Sequence, residues 1–589
     1  MKSWKKRTLA LTLAALCLLG GCSLPFLSKD SGDGAPVDNV DVSDEYFGLA
    51  WYRSGTLNPV LDNSSVNSML REALYEGLFE VTNNFTAENV LCEDYTGDGT
   101  TFTFTLRSGA KFWSGAEVTA ADVVASLQTA INNEKSPYHN RLVEVASIEA
   151  VADHMVRIVL TSPNVSFPRL LDIPIYRDGT ADSGEFAEGT GPFKPVQDGN
   201  SWTLEKNENW NGGFLGTIRH ITLVKMTRTD AAESSFRTGD VSVMRSARIA
   251  PDDKNTTFSG AVDAVQTSSA VMHYLGINMS NSQLANATVR QALSAAISRQ
   301  GLCDTQLQGY ADPAVLPVNP QPTDTGLDFS MSSDTTKAVR LLREAAKNGA
   351  VSAPDTQNDS GNTGDSSGYS EEDGYYDEDG DFIYYQSASD TAYTPELLTV
   401  RTPSDTDSVL ADGKIVLLDT QTDSHAAAGT TGLKLSFRLL VNADNAFKVA
   451  AAQQVAAAWN ALDGVTVTVD AEPYASYISM LQSGSFDVYY GETQLTPDFD
   501  LRPLLAPKGS LNYGGYASEE MSAAITAYRS GENTNGLYST FLDQMPIIPL
   551  AFEREQIVIR KGLVDHFEPA PYNVFAGQEN WTKPRQTQE

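Results

Sequence analysis

The chain has 589 residues, of which 41% are hydrophobic and 20% are charged, a composition typical of a globular protein with two or three domains. Its 75 Asp and Glu residues outnumber its 42 Lys and Arg residues, so the formal net charge is −33. This excess of negative charge argues against binding to nucleic acid or to anionic lipid, because both require a basic surface.

The N-terminus has the pattern of a signal peptide, predicted over residues 1–21. MKSWKKR is basic, and the apolar stretch TLALTLAALCLLGG, at 14 residues, is too short to span a bilayer comfortably. It ends at Leu19-Gly20-Gly21-Cys22, which resembles a bacterial lipobox, where the cysteine is lipidated and becomes the new N-terminus. The alternatives are cleavage elsewhere or an uncleaved anchor. We expect lipidation of Cys22 and localisation at the extracytoplasmic face of the cell membrane.

The segment that follows the signal peptide is predicted to be a flexible tether over residues 22–44, because it is rich in Ser, Asp, Gly and Pro. The next elements in chain order are a strand at 46–52 and a helix at 64–79. Cys92 and Cys303 are the cysteines left after processing, and we expect both to be small buried residues, although one disulfide remains possible.

Residues 101–127 have unusually clear local signals. Phe102, Phe104 and Leu106 alternate with threonines, which predicts a half-buried strand. Thr119 and Asp122 have the spacing of a capping box, which predicts the start of a helix. The segment contains no nucleophile and base pair, so its residue chemistry indicates a structural role.

The same segment closely resembles the signature region of the family 5 extracellular solute-binding proteins, the peptide- and nickel-binding group of ABC importers. The matching motifs occur in the family's order, and the resemblance covers roughly 500 residues. In this sequence they are Thr56 to Pro59, Tyr75 to Leu78, Leu106-Arg107, Phe112 to Gly115, Thr119 to Val123, Gly189 to Phe193, Lys206 to Trp210, Gly239-Asp240, Asn278 and Val289 to Leu293.

The resemblance implies an α/β, two-lobed Venus-flytrap fold of the periplasmic-binding-protein type II, cluster C, with three domains and the first discontinuous. It further implies that the chain crosses between the lobes twice, near residues 274–279 and 547–552. The domains expected are lobe I (domain I) at 45–62, 188–273 and 546–580, the extra domain II of lobe I at 63–187, and lobe II (domain III) at 274–545.

Lobe II is expected to contain an acidic, low-complexity insertion at 348–400, which departs from the family and has no Lys or Arg. Part of it resembles a calcium loop, with Gly380 at the sixth position and Asp377 and Asp379 before it. Position twelve would be Gln386, so the bidentate glutamate is missing. A solvated loop is the favoured interpretation.

The sequence offers no local signature of catalysis or of metal and cofactor binding. Its six histidines show no HxH or HExxH spacing, and it has no CxxC and no phosphate-binding glycine loop. We therefore predict no enzyme activity, no cofactor and no metal site. A surface hydrolase that uses a carboxylate pair such as Asp498 and Asp500 remains the distant alternative.

Residues 486–505, FDVYYGETQLTPDFDLRPLL, are the most site-like segment. In the family's peptide binders an aspartate in the corresponding stretch pairs with the ammonium group of the peptide. Here Pro497 stands three residues before Asp500, so only a one-residue slip lets Asp498 take that role. Asp498 and Asp500 are the candidate anchors, and capping of a turn is the alternative role.

Four further residues are candidates for ligand binding. Trp51, Tyr52 and Tyr490 are aromatic residues of the kind that often line ligand clefts, although packing in the core is the favoured interpretation for each of them taken singly. Asn512 lies in a stretch that resembles the family's Asn-x-x-Gly-Tyr segment near the cleft.

The function predicted from the resemblance is that of a lipid-anchored, monomeric substrate-binding protein of an ABC importer, which closes on a small ligand and delivers it to the membrane permease. Short peptides are the leading ligand class. Oligosaccharides and metal chelates are the alternatives, because relatives of this fold bind all three.

The lipid anchor yields the first prediction. Cys22→Ser removes the thiol that would carry the lipid, so the variant is expected to leave the membrane fraction or to accumulate as unprocessed precursor. Fractionation with mass spectrometry of the N-terminal peptide measures this. A variant that is processed and lipidated like the natural protein would show that the lipobox assignment is wrong.

Overall fold

The computed structural model describes the side chains of residues 46–53, 58–181, 185–213, 216–228, 231–246, 262–327, 331–349 and 434–582. It also describes the backbone of short paired strands at Ala35–Pro36 with Phe258–Ser259 and at Gly374–Tyr376 with Phe382–Tyr384. A separate unit, Met1–Asp33 with Leu397–Asp419, contains a hairpin of Ser408–Ala411 and Lys414–Leu417. Cys22, most of the predicted tether and nearly all of the acidic insertion therefore lie outside the described residues.

The remaining strands have the following bounds: β1 (Gly48–Tyr52), β2 (Phe79–Val81), β3 (Ala87–Asn89), β4 (Cys92–Gly97), β5 (Thr101–Leu106), β6 (Val145–Ala152), β7 (Met155–Leu160), β8 (Phe193–Asp198), β9 (Ser201–Lys206), β10 (His220–Met226), β11 (Val243–Ser246), β12 (Val262–Ile277), β13 (Ala311–Pro313), β14 (Leu435–Asn442), β15 (Val465–Glu472), β16 (Val488–Gln494) and β17 (Ile547–Arg560).

The α-helices are α1 (Ser68–Leu74), α2 (Ala120–Ile131), α3 (Ala231–Thr238), α4 (Ala287–Ala295), α5 (Arg299–Thr305), α6 (Thr335–Lys347), α7 (Ala446–Asn460), α8 (Tyr474–Ser483), α9 (Arg502–Leu505), α10 (Glu519–Arg529) and α11 (Thr534–Gln544). Among the described residues, none of these helices is long and apolar enough to cross a membrane.

The strands form three larger sheets and one short hairpin. Strands β1, β10, β9 and β8 form a sheet in that order, with β1 parallel to β10. A second antiparallel sheet has the order β4-β5-β7-β6, and β2 pairs with β3. The largest sheet has the order β11-β17-β12-β16-β14-β15, and β13 also pairs with β17.

The described residues divide between two large hydrophobic cores. One contains Phe47, Phe104 and Phe193, and the other contains Leu275, Leu439 and Trp459. This division into two lobes of helices and strands agrees with the predicted fold class. Cys92 and Cys303 are both buried and free, as expected of small core residues.

Strands β12 and β17 extend through both cores. In β17, residues 547–550 and Phe552 pack in the second core, whereas residues 557–559 pack in the first. In β12, Val262 packs against the first core and Ala270 belongs to the second. The change of core thus lies between Val262 and Ala270 and between Phe552 and Ile557. The domain boundaries themselves stay a prediction.

Local signals account for several elements. Strand β5 has the burial alternation that its phenylalanines predict. At the start of α2 the Asp122 carboxylate accepts hydrogen bonds from the backbone N (2.8 Å) and the hydroxyl (2.7 Å) of Thr119. Helix α1 is shorter than the predicted helix at 64–79, because Asn67 is held by hydrogen bonds to the backbone of Tyr52 and the chain is extended again at Tyr75.

Candidate functional site

A cavity of about 1410 Å³ lies between the two cores. Helix α1, the segments around Trp210 and Arg245, and residues 571–579 line it on the side of the first core. Residues 268–271, Phe447, Lys448 and residues 494–497 line it on the side of the second core. Its position and size are those of a site for a small ligand rather than of a packing defect.

The wall of this cavity is acidic. Nine carboxylate side chains line it against five basic ones. The acids are Glu72, Glu76, Glu80, Asp172, Glu233, Glu492, Glu553, Glu555 and Glu579, and the bases are Arg71, Arg107, Arg141, Arg245 and Lys448. A concave surface with this excess of negative charge attracts ligands that carry positive charge.

Several of these charges form pairs. Arg245 Nη2 lies 2.8 Å from Glu72 Oε1, and its other terminal nitrogen pairs with Glu555 of β17. Glu72 Oε2 also accepts a hydrogen bond of 2.7 Å from the backbone N of Val574. This cluster connects α1, β11 and β17, so it holds together the cavity wall on the side of the first core.

Glu76 is a buried carboxylate of the cavity with a displaced pKa. Burial raises its pKa from 4.5 to about 7, although the indole Nε1 of Trp210 donates a hydrogen bond of 2.7 Å to it. Burial also raises the pKa of Glu80. Because a nearby positive charge favours the ionised form, a cationic ligand group would relieve the cost of ionising these side chains.

Some polar atoms of cavity-lining residues are buried without a hydrogen-bond partner among the described residues. They are Arg107 Nε, Arg245 Nε and both amide atoms of Gln578, a residue that is 2% exposed. Leaving a buried donor or acceptor unsatisfied costs roughly 1–3 kcal/mol, so these groups favour a polar ligand that supplies the missing bonds.

Comparison with known proteins relates the middle of the chain to a protein family. Residues 86–363 match the model of the bacterial extracellular solute-binding proteins, family 5 (Middle). The matched stretch covers just under half of the chain. The resemblance stated from the sequence motifs is thereby confirmed.

Individual family 5 relatives are distant. The glutathione-binding protein GsiB of Salmonella paratyphi A is 29% identical over 310 residues, which are 49% of this chain and 59% of that relative. The chain therefore spans less than two thirds of the length of the curated relatives that it matches.

Solved structures show the same fold at low identity. The unliganded open form of the periplasmic murein tripeptide-binding protein MppA has a TM-score of 0.63 and 17% identity, with coverage of 91% of this chain and 96% of that one. NikA of Brucella suis in complex with Fe(III)-EDTA has a TM-score of 0.58 and 18% identity, with coverage of 92% and 100%. The predicted two-lobed family 5 fold is confirmed.

Within this family 5 fold, the predicted anchors Asp498 and Asp500 lie beside the cavity and are not among its described lining residues. The buried Asp498 carboxylate accepts hydrogen bonds from Asn164 Nδ2 (2.8 Å) and Thr496 Oγ1 (2.6 Å). Burial raises the pKa of Asp498. Both of its oxygens therefore have protein partners, although Thr496 and Pro497 do line the cavity.

Asp500 belongs to a charged network that joins the two sides of the fold. It pairs with Arg502 at 2.6 Å, and Arg502 in turn pairs with Glu144, which also pairs with Arg529. Burial alone would raise the pKa of Asp500, but hydrogen bonds and charge from Arg502 outweigh it and lower that pKa. Glu144 precedes β6 on one side, whereas Arg502 and Arg529 belong to α9 and α10 on the other.

The other four predicted ligand-binding residues are also absent from the described cavity lining. Trp51 is buried and packs 6.1 Å from the Phe186 ring, and Tyr52 follows it in β1. Asn512 closes its own loop with hydrogen bonds to Ala506 and Tyr516. Tyr490 is buried and bonds to His273 Nδ1 at 3.2 Å. A role for these side chains in ligand binding stays a prediction.

The sequence interpretation missed the residues that do line the cavity, including Glu72, Glu76, Arg245 and Gln578. It also missed His273, Glu492 and Glu553, whose possible metal-donor atoms (an imidazole nitrogen and two carboxylate oxygens) all lie within 4.8 Å of one another. No short motif links these positions, because the register of the large sheet brings them together. The motif Tyr75 to Leu78 was the nearest available signal, since it contains Glu76.

Glu76 gives a prediction about pH. The raised pKa of Glu76 means that the folded protein binds this proton more tightly than the unfolded chain does. Ionisation of the Glu76 carboxyl therefore lowers the free energy of unfolding progressively as pH rises from about 4.5 to about 7. Glu76→Gln removes that loss and keeps an acceptor for Trp210. Urea unfolding at both ends of this range should show the variant gaining on the order of 2 kcal/mol relative to the natural protein. Parallel pH slopes would contradict the assignment.

Asp498 gives a prediction that separates its two possible roles. Because the carboxylate bonds to Asn164 and faces Arg529, Asp498→Asn is expected to lower the free energy of unfolding by about 1–3 kcal/mol. Glu144→Gln, in the same network, is the matched control and should have a similar effect. Thermal unfolding measures both. If Asp498→Asn leaves stability unchanged and weakens tripeptide binding roughly 100-fold in calorimetry, Asp498 is instead the ligand anchor.

Proposed function

We propose that this protein is the substrate-binding component of an ABC importer, anchored by a lipid at Cys22, and that it captures a short peptide in the cavity between its lobes. On binding, the lobes close and the loaded protein docks on the permease subunits in the membrane. The chain itself performs no catalysis. The observation that carries the proposal is the large cavity between two separate cores, whose lining includes buried polar atoms without a hydrogen-bond partner in the described part of the chain.

The chemistry of the cavity supports a charged, hydrogen-bonding ligand. Gln578 offers a donor and an acceptor, and the Nε groups of Arg107 and Arg245 offer donors. A peptide backbone supplies acceptors and donors of both kinds, together with an ammonium and a carboxylate. The excess of carboxylates favours peptides whose net charge is positive.

The mechanical part of the proposal rests on the connection between the lobes. Strands β12 and β17 belong to both cores, and their pairing has irregularities between Ser268 and Met272 and between His273 and Tyr274. Interruptions in a ladder are positions where a long strand pair can bend. A ligand that contacts both walls would favour the closed arrangement by its differential affinity for it.

Two other ligand classes match part of the cavity's chemistry. A metal chelate would also satisfy the acidic wall, and the solved NikA structure from Brucella suis contains Fe(III)-EDTA. A neutral oligosaccharide would use the buried donors and acceptors but would gain nothing from the excess of carboxylates. A surface hydrolase is the distant alternative, and turnover of a bound peptide would reveal it.

The test compares the tripeptides Ala-Lys-Ala and Ala-Glu-Ala by calorimetry on soluble protein that starts after Cys22. The lysine peptide is expected to bind at least about tenfold more tightly, a difference of about 1.4 kcal/mol, and to lose this advantage as salt screens the wall. Small-angle scattering should show the radius of gyration falling on binding. Mass spectrometry of ligand that co-purifies with the protein identifies the natural ligand class.

Gln578→Ala is the informative cavity variant. It removes an amide that has no hydrogen-bond partner among the residues that the structure describes, so it should weaken tripeptide binding while stability stays unchanged or rises. Asn580, which is exposed in the same turn, provides the control Asn580→Ala. If no tripeptide binds the natural protein, the peptide assignment is wrong. If peptide is hydrolysed, the protein is an enzyme.

A further inference from the structure

We propose that His273, Glu492 and Glu553 form a binding site for a divalent transition-metal ion in the cavity wall on the side of the second core. This metal site goes beyond peptide capture and does not depend on it. His273 contributes Nε2, and each glutamate contributes a carboxylate oxygen. One imidazole with two carboxylates is a ligand set suited to ions such as Ni²⁺, Co²⁺ and Zn²⁺.

The three donors already converge. His273 Nε2 lies 2.8 Å from Glu553 Oε1 and 4.0 Å from Glu492 Oε2. An ion bound at about 2.0–2.2 Å from each donor would need only small rotamer adjustments of the two glutamates. Glu492 and Glu553 line the cavity, so one side of the ion would face the space available to water or to a ligand.

The sheet explains this convergence. His273 and Glu492 are direct partners in the β12–β16 ladder, so their side chains stand on one face of the sheet. Glu553 belongs to β17, which pairs with β12 on the other edge. Three neighbouring strands therefore each provide one donor, and side chains on strands are held more rigidly than side chains on loops.

A second observation is the irregular pairing next to the histidine. The β12–β17 register changes between Ser268 and Met272 and again between His273 and Tyr274. Bulges of this kind redirect a side chain and are common beside functional sites. Here they flank the histidine of the cluster, which a regular ladder would place differently relative to Glu553.

The surroundings of His273 also suit a metal ligand. The side chain is fully buried, and its Nδ1 faces the hydroxyl of Tyr490 at 3.2 Å. When Nδ1 carries the proton and donates it to that hydroxyl, Nε2 is left with a lone pair directed at the two carboxylates. Such outer partners orient metal-bound histidines in many proteins.

Lys448 is the internal competitor for this site. Its ammonium Nζ lies 2.8 Å from Glu492 Oε2, so the chain itself places a cation beside the cluster. A metal ion must displace this ammonium or share the carboxylate with it. Removing the ammonium should therefore strengthen metal binding, whereas a purely structural Lys448–Glu492 pair would give only a loss of stability.

The experiment titrates untagged soluble protein with CoCl₂ and NiSO₄ by calorimetry, with no peptide present. One ion per chain is expected, with visible cobalt bands, and Cu²⁺ should give an electron paramagnetic resonance spectrum with coupling to one imidazole nitrogen. Glu492→Gln and Glu553→Gln should each weaken Co²⁺ binding at least about tenfold, and His273→Gln should abolish the nitrogen coupling. Lys448→Met should tighten Co²⁺ binding.

Glu579→Gln, which removes a cavity carboxylate outside the cluster, is the matched control and should bind Co²⁺ like the natural protein. Because His273 is buried, circular dichroism must show that each variant is folded, and the two glutamate variants test the site even if His273→Gln does not fold. Absence of stoichiometric binding in both the natural protein and Lys448→Met overturns the proposal. So does binding that the two glutamate variants leave unchanged. Tripeptide binding is measured separately, so its failure would not affect this result.

Discussion

The antiparallel pairing of β12 with β17 is the constraint on which the rest of the structure depends. These strands carry residues of both hydrophobic cores, so their register determines how the lobes face each other and which residues border the space between them. A ladder held by backbone hydrogen bonds resists sliding but bends where its pairing is irregular. The connection therefore keeps the cavity walls aligned, and its irregular positions are where the proposed closure would bend it.

The same pairing explains why the cavity is both polar and well defined. Ser268, Ser269 and the glutamates at 553 and 555 line the cavity where the strands leave one core and enter the other, whereas Ala270 packs in the second core. Each charged group there needs a partner, and several find it across elements, as Arg245 does with Glu72 and Glu555. The Gln578 amide finds no hydrogen-bond partner among the described residues, so it is a candidate contact for a polar ligand.

Local chemistry made part of this architecture predictable. The alternation of phenylalanines in β5 and the Thr119–Asp122 cap of α2 each depend on residues a few positions apart. The order of family 5 motifs then predicted two lobes, and the comparisons confirmed that fold. The predicted length of helix α1 was too great, because helix propensity could not reveal that the Asn67 side chain forms hydrogen bonds with the backbone of Tyr52.

The candidate site was less predictable for a physical reason. Pairings such as His273 with Glu492, or Glu72 with Arg245, depend on strand register and on contacts between distant segments. The Asp498 segment was correctly singled out as unusual, but its carboxylate is bonded to Asn164, a residue far away in the chain. A sequence pattern can single out a carboxylate as a candidate for a special role. Whether that carboxylate binds a ligand or stabilises the fold depends on which residues lie next to it in the folded structure.

The energetics of closure follow from these contacts. The ion pairs of Glu144 with Arg502 and Arg529 connect the two sides of the fold. Partly exposed ion pairs stabilise a protein by only about 0–1 kcal/mol each. Burying such a pair adds little net stability, because the cost of desolvating the charges offsets their attraction. The unpartnered atoms of Arg107, Arg245 and Gln578 are worth roughly 1–3 kcal/mol each when a ligand satisfies them. Moving an equilibrium from mostly open to mostly closed takes about 5.5 kcal/mol. Under the proposed function, the bound ligand supplies that difference through the buried polar atoms of the cavity, because the ion pairs are too weak to do so.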